Sequence, residues 1–165
     1  MGPKQYDAPA GKLTDETDAL IIEQMSSDAH ATLAHLSHTT KLSISAVQAR
    51  LRRLESRKVI TGYRAILDPE AVGKPLSAFI EITPLDPAQP DDAPELLAPL
   101  AEIEACHSIA GNAAYMLQVR VASPRALEGL IRRVRLAAGV STRTTVVLQT
   151  FFENRPIALG SLAEE

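Results

Sequence analysis

The sequence has few aromatic residues: three phenylalanines, three tyrosines and no tryptophan make up 4% of its 165 residues. A surface on which unpaired bases stack needs several aromatic rings, so this scarcity argues against a single-strand nucleic-acid platform. The single cysteine, Cys106, has no partner for an intramolecular disulfide or for a Cys-x-x-Cys zinc or redox motif. Cysteine usage therefore predicts a reducing cytoplasm as the compartment.

Long apolar runs are also missing. No stretch of about 18 apolar residues could span a bilayer, and residues 1–12 lack the apolar centre of a signal peptide. We therefore expect no membrane partner. The 45% hydrophobic and 22% charged residues are ordinary for a globular protein, which excludes wholesale disorder, and the length allows one ordinary domain or two small ones.

Positive charge is concentrated in one short segment of an acidic chain whose net charge is −3. Residues 1–40 carry two lysines and six acids, and residues 65–165 carry eight basic residues and thirteen acids. Residues 41–64 instead carry seven basic residues and one acid, a net charge of +6. This segment predicts a local contact with an anionic partner, although a solvated helix face would have the same composition.

Two short helices are predicted before the basic segment. Thr14 can cap the first, whose first turn is acidic and whose apolar residues, Ile21 among them, face inward. Thr32 can cap the second, which extends to about Thr40.

The third helix is predicted to have an apolar side and a basic side. Either Ser43 or Ser45 begins it, since Ser45 and Gln48 also fit a capping box, and it ends near Arg57. At about 100° per residue, the inward side holds Ile44, Val47, Leu51 and Leu54, and the outward side holds Ser45, Gln48, Ala49, Arg52, Arg53 and Ser56. This pattern predicts a helix-turn-helix whose last helix enters the major groove of double-stranded DNA, followed by a wing or hinge strand over residues 60–67.

The second half of the chain alternates between strand and helix patterns. Period-two alternation predicts strands at residues 76–83 and 115–121, and composition adds strands at 104–110 and 140–150. Ser123 and Pro124 begin a helix that Gly139 ends. Residues 86–94 form a proline-rich and aspartate-rich loop, and a short helix follows at 95–101, which Pro99 interrupts.

The run LSISAVQARLRRLESRKVITGYRAILDPEAVG, near residues 42–73, closely resembles the helix-turn-helix end and linker of the Lrp/AsnC, or feast/famine, family of transcriptional regulators. Its Ser-opened helix, basic R-x-x-R-L-E-type stretch, V-I-x-G-Y strand and D-P-x-x-x-G hinge occur in the family's order, and the resemblance covers about residues 12–155. It implies an α+β protein in which a winged-helix-like helix-turn-helix is joined by a hinge strand to a ferredoxin-like βαββαβ domain.

The resemblance also implies a division of the chain. Residues 12–60 form the DNA-binding domain, 61–75 the hinge strand and linker, 76–155 the effector-binding and oligomerisation domain, and 156–165 a tail. Within the first domain, the family positions nearest base edges are Ser45, Gln48, Ala49 and Arg52, and those nearest phosphate are Arg50, Arg53, Arg57 and Lys58. At Arg50, an ion pair that braces the helix is an equal alternative to DNA contact.

An amino-acid effector is implied between dimers of the family. The residues implied are Gly111, Asn112, Ala114, Tyr115, Gly139, Ser141, Thr142 and Thr144. The family motif G-x-x-D-Y reads Gly-Asn-Ala-Ala-Tyr here, so Ala114 replaces a carboxylate that could bind the effector's ammonium group. Three alternatives follow: Asn112 and backbone carbonyls replace the missing carboxylate as partners of the ammonium group, the effector is a different ligand, or no effector binds. Gly111 also suits a tight hairpin turn.

Three further residues depart from the family pattern. Lys41 and Lys58 stand where glycine is common, and a left-handed backbone at either would cost about 1 kcal/mol relative to glycine. His30 stands where arginine is common. His30, His35 and His38 form no recognisable metal motif, since no cysteine or further histidine lies nearby in sequence, so we expect no metal and no cofactor.

The sequence thus predicts a cytoplasmic, non-enzymatic regulator of amino-acid-related metabolism that binds double-stranded DNA. The resemblance implies a homodimer that assembles further, into an octamer or a similar ring. Two rivals remain: an architectural protein that wraps or bridges DNA with little sequence choice and no effector, and an amino-acid-binding subunit of an enzyme, which the basic helix argues against.

Overall fold

A computed structural model describes residues 15–86, 88 and 91–159. They form two compact units, one comprising the residues up to Ile66 together with those from Asn154, and the other extending from Leu67 to Glu153. No helix in this described part of the chain is both long and apolar enough to cross a bilayer.

The first unit consists of three helices: α1 (Glu16–Ser27), α2 (Leu33–Thr40) and α3 (Ile44–Ser56). Each contributes fully or almost fully buried aliphatic side chains to a shared core, namely Ile21, Leu36, Val47 and Leu54. Burial of this stripe from each amphipathic helix is what holds so short a unit together. Ile44, predicted to face inward, is instead 51% exposed because it occupies the first turn of α3.

Side-chain caps fix where these helices begin. Thr32 accepts a hydrogen bond from the N–H of His35, as predicted, and Ser43 rather than Ser45 caps α3 by accepting from the N–H of Ala46. Thr14 lies outside the described residues, and the observed cap of α1 is Asp15, whose carboxylate accepts from the N–H of Asp18 at 2.8 Å.

Two lysines of the first unit have a left-handed backbone. Lys41, which ends α2, has φ of 57°, and Lys58, just after α3, has φ of 59°. A Cβ atom is unfavourable in this region, so each lysine costs about 1 kcal/mol relative to glycine. Both turns therefore retain the backbone geometry that glycine would favour, and the lysine adds a positive charge to each turn.

The predicted hinge strand over residues 60–67 is not a strand in the described chain. Its alternating residues favour extended backbone, but a strand also needs a neighbour for its N–H and C=O groups, and no described strand pairs with this segment. Ile66 and Leu67 remain about two-thirds exposed, at 68% and 64%. This part of the sequence prediction was therefore wrong for the single chain.

The second unit has the order β1 (Leu76–Pro84), α4 (Ala93–Leu97), β2 (Ile103–Ser108), β3 (Tyr115–Val121), α5 (Pro124–Ala138) and β4 (Val140–Val146). The strands form one antiparallel sheet in the order β2-β3-β1-β4. This is the expected ferredoxin-like arrangement. Side chains on one face of the sheet and on α4 and α5 form the core, including Ile80, Leu117, Leu97 and Leu130.

Two predicted boundaries move for identifiable reasons. Strand β4 ends at Val146 instead of residue 150. Val146 pairs with Ala78, and β1 begins only two residues before Ala78, so β1 offers no partner for a longer β4. Helix α4 begins and ends earlier than the predicted 95–101. Pro94 suits a first turn, and Pro99 has no N–H with which to continue the helical hydrogen bonds beyond Ala98.

Candidate nucleic-acid interface and effector site

The outward side of α3 presents the residues predicted to meet base edges. Ser45, Gln48, Ala49 and Arg52 are all exposed, while Val47 and Leu54 on the other side are buried. Apart from Arg52, the side chains that could read a DNA groove are therefore uncharged and no longer than glutamine. Such a surface allows close approach of the helix to base edges, with Arg52 long enough to reach guanine O6 and N7.

Positive charge continues past the end of α3. Arg57 is the C-cap residue of α3, and Lys58 follows it with a left-handed backbone. Both side chains are exposed. Neither residue, nor Arg52, forms an ion pair with any described part of the chain. These three cations are therefore available to a polyanion.

Arg50 and Arg53 are engaged differently, in an ion-pair network with α1. Arg50 Nη1 donates to Asp15 Oδ2 at 2.6 Å and to Asp18 Oδ1 at 2.8 Å, and Arg53 Nη2 donates to Asp18 Oδ2 at 2.6 Å. The hydrogen bond from Arg50 lowers the pKa of the Asp15 carboxyl below its ordinary value. Asp18 itself has no exposed surface.

The structure thus shows the bracing ion pair that was the alternative for Arg50. Arg50 and Arg52 are two residues apart, so their side chains leave α3 about 160° apart around its axis. A groove that receives Arg52 therefore lies on nearly the opposite side of the helix from Arg50. Sequence reasoning missed Asp15 and Asp18 as partners because acidic residues in a first helical turn already have a sufficient local explanation.

The histidines of the first unit show no metal-site geometry. His35 Nε2 lies 3.1 Å from Gln24 Oε1, at hydrogen-bond distance. No group of three or more potential ligands that could hold a metal ion occurs among the residues for which the structure gives positions.

The predicted effector residues divide between a loop and a strand of the second unit. Residues 109–114 connect β2 to β3 in a loop closed by a 3.1 Å hydrogen bond from the Ile109 N–H to the Ala114 carbonyl. Gly111 is exposed and does not have a left-handed backbone, so this is not a two-residue hairpin turn. Asn112 is exposed, and Ala114 is half-buried with its N–H donating to the Ile82 carbonyl.

Pairing across the sheet aligns Tyr115 and Thr142 on either side of Ile82. Laterally paired residues point to the same face, so the Thr142 side chain lies on the helix-covered face, where its Oγ1 accepts from Arg135 Nε at 2.7 Å. Thr144, two residues along, shares that face, whereas Ser141 points to the other and donates to the Thr83 carbonyl at 3.3 Å. Gly139 ends α5 with φ of 59°.

Tyr115 has a partner that the sequence did not identify. Its phenol donates a 2.5 Å hydrogen bond to Asp91 Oδ1, and this bond to a carboxylate, together with burial, raises the pKa of Tyr115 to about 12. Asp91 belongs to the loop before α4, and no pattern in the sequence indicates which aspartate in that loop contacts Tyr115. A carboxylate therefore lies next to the G-x-x-A-Y segment although position 114 is alanine.

Comparison with known proteins assigns the two parts of the chain to two different domain families. Residues 14–61 match a winged helix-turn-helix DNA-binding family, and residues 77–157 match the Lrp/AsnC ligand binding domain. The chain is 53% identical, over 86% of its length and 94% of the relative's, to the HTH-type transcriptional regulator LrpA of Mycobacterium tuberculosis.

Solved structures give the same result. The chain superposes with a TM-score of 0.85 and 52% identity, over 87% of this chain and 97% of the other, on a feast or famine regulatory protein from M. tuberculosis complexed with L-methionine. It also superposes with a TM-score of 0.80 and 26% identity, over 90% and 99%, on a Neisseria meningitidis transcriptional regulator in an L-methionine complex. With a DNA-binding helix-turn-helix in one unit and a matching ligand domain in the other, the chain belongs to the Lrp/AsnC family of transcriptional regulators and is not an enzyme.

Proposed function

We propose that this regulator binds specific double-stranded DNA as a homo-oligomer and that a free amino acid modulates its binding. The observation that supports this proposal is the outward side of α3, on which Ser45, Gln48, Ala49 and Arg52 are exposed. Positive charge continues to Arg57 and Lys58, and neither they nor Arg52 form an ion pair within the described part of the chain. The first four read base edges, and the last two contact phosphate. Arg50 and Arg53 are not assigned DNA contacts, because both are ion-paired with α1.

Exposed apolar surface in the second unit supports self-association. Phe79, Val146, Leu148 and Phe151 are between 39% and 97% exposed in the single chain, and apolar surface of this kind is usually covered by another molecule. A twofold dimer would present two copies of α3 to one duplex and would favour a pseudo-palindromic operator. We propose that dimers assemble further into an octamer, as the family resemblance implies, and that the protein acts in the cytoplasm on genes of amino-acid metabolism.

Selectivity for DNA sequence is the decisive test. Genomic fragments retained by the purified protein are selected, and their affinity is compared with that of random duplex at one salt concentration, with and without L-methionine. A sequence-specific regulator binds its preferred fragment at least about 10³-fold more tightly than random duplex. A ratio near one would contradict this function and favour the architectural protein. Native mass spectrometry of the same sample measures the assembly size.

For the effector we propose an α-amino acid bound near Gly111, Asn112, Ala114 and Tyr115, together with Gly139 and the Ser141, Thr142 and Thr144 segment. L-methionine is the first candidate, since two structurally similar proteins are complexed with it. Ligands that bind two assembly states with different affinities shift the balance between them, and DNA binding would change accordingly.

Restoring the family's carboxylate tests this site. We expect Ala114→Asp to bind L-methionine about 10- to 100-fold more tightly than Ala114→Asn, because a charged hydrogen bond to the ligand's ammonium group contributes about 1.5 to 3 kcal/mol. Isothermal titration with a panel of amino acids measures both variants, and the asparagine variant controls for the added volume. Equal affinities of the two variants would exclude position 114 from contact with the ammonium group.

A further inference from the structure

An α-amino acid bound by the second unit brings an ammonium group that needs a partner. This group is strongly hydrated, and moving it into a binding site is unfavourable unless acceptors replace its water. Position 114 offers only a methyl group, and residues 109–115 contain no acidic side chain at all. The compensating charge therefore has to come from outside this segment.

Asp91 is a carboxylate that contacts this segment. It accepts the 2.5 Å hydrogen bond from the phenol of Tyr115, the residue directly after Ala114. Tyr115 is only 7% exposed and packs in the core of the second unit, so its phenol is a fixed anchor. Because the bond to Asp91 and burial raise the pKa of Tyr115 to about 12, the phenol remains a donor at the pH at which amino acids are zwitterions.

The other oxygen of Asp91 is open to a ligand. Asp91 is exposed, and within the described part of the chain its carboxylate forms no ion pair and no side-chain hydrogen bond other than the one from Tyr115. Residues 75–119 contain no lysine or arginine, so no such cation of the loop, of β2 or of the effector segment competes for it. A carboxylate that is held by one oxygen and open at the other suits an ammonium ligand.

We propose that Asp91 is a specificity-determining residue of the effector site, where it accepts a hydrogen bond from the effector's ammonium group in place of the carboxylate missing at position 114. The inference rests on the proposed function, in which the segment from Gly111 to Tyr115 binds an α-amino acid. Oδ1 accepts from Tyr115, which orients the side chain, and Oδ2 accepts from the ligand. A ligand without an ammonium group gains nothing from Asp91, so the site selects α-amino acids over their deaminated analogues.

The test is isothermal titration of Asp91→Asn with L-methionine. Asparagine keeps an oxygen that accepts from Tyr115, but it removes the charge and turns an N–H group towards the ligand. We expect L-methionine to bind about 10- to 100-fold more weakly than to the wild type, because a hydrogen bond between two charged groups is lost. Asp92→Asn is the matched control. Asp92 is the exposed neighbour and N-cap of α4, its side chain makes no capping hydrogen bond, and its substitution should leave the affinity unchanged.

A second ligand distinguishes contact with the ammonium group from a structural role. The probe is 4-(methylthio)butanoate, which has the carboxylate and side chain of methionine but a hydrogen in place of the ammonium group. We expect Asp91→Asn to bind this analogue as tightly as the wild type does, so that the variant loses the preference for L-methionine. If Asp91 only fastened the loop next to Tyr115, the substitution would weaken both ligands by the same factor.

Three results would overturn the inference: equal affinities of Asp91→Asn and the wild type for L-methionine, an equal loss in Asp92→Asn, or an equal loss for both ligands. If the wild type prefers another amino acid of the panel, that amino acid and its deaminated analogue take the place of the methionine pair. A wild type that binds no amino acid contradicts the proposed effector itself. The two failures are therefore distinguishable.

Discussion

Replacing Arg52 with alanine lowers affinity for the preferred operator by about 1 to 3 kcal/mol per half-site, or roughly 5- to 150-fold, and relaxes the preference for one base pair. Arg52 is exposed on the outward side of α3, without an ion pair among the described residues, and its guanidinium can donate two parallel hydrogen bonds to guanine. Truncation removes those bonds while the buried side of α3 is untouched. Competition binding against a library of single-base-pair operator variants measures both effects.

Lys58→Ala is the comparison for Arg52→Ala. Lys58 follows the C-terminal end of α3 and is assigned to phosphate, so its removal should weaken all sequences equally and lower the salt slope by about one. The left-handed backbone at residue 58 is as unfavourable for alanine as it is for lysine. The substitution therefore removes the charge and leaves the conformational strain of the backbone unchanged. If both variants changed affinity independently of sequence, the assignment of Arg52 to base contact would be wrong.

Local periodicity was sufficient to predict the exposed side of α3. The apolar positions Val47 and Leu54 pack inward and fix the rotation of the helix, so the outward residues follow from helical geometry alone. The ion pairs of Arg50 and Arg53 could not be predicted in this way. Their partner Asp18 lies 32 and 35 residues away in the chain, and only the packing of α1 against α3 brings it close.

The strands of the sheet were predictable for a similar reason, whereas the segments outside the sheet were not. Tyr115 to Val121 alternates with period two because one face packs on helices, and β3 has the predicted bounds. Residues 60–67 also suggest a strand, but a strand depends on a neighbour that composition does not specify. The Asp91 contact with Tyr115 likewise depends on how a loop folds back, which no periodic pattern encodes.

Leu54→Ala tests whether the two units are stabilised by separate cores. Leu54 is 1% exposed in α3 and lies in the small core shared by the three helices. Removing a buried leucine side chain costs about 2 to 5 kcal/mol, while a unit of this size is stabilised by only a few kcal/mol. We therefore expect DNA binding to be lost or strongly reduced at physiological temperature, with the amides of residues 15–60 losing protection from hydrogen exchange.

The sheet of the second unit should keep its protection in that variant, because its core is formed by its own strands and by α4 and α5. Leu130→Ala is the matched control: Leu130 is fully buried in α5, and its truncation should expose the amides of β1 and β3 while those of α3 remain protected. Hydrogen exchange followed by mass spectrometry resolves the two patterns peptide by peptide. Simultaneous loss of protection in both units in either variant would mean that the chain unfolds as one cooperative structure, and a ligand that stabilises the second unit would then also stabilise the DNA-binding helices directly.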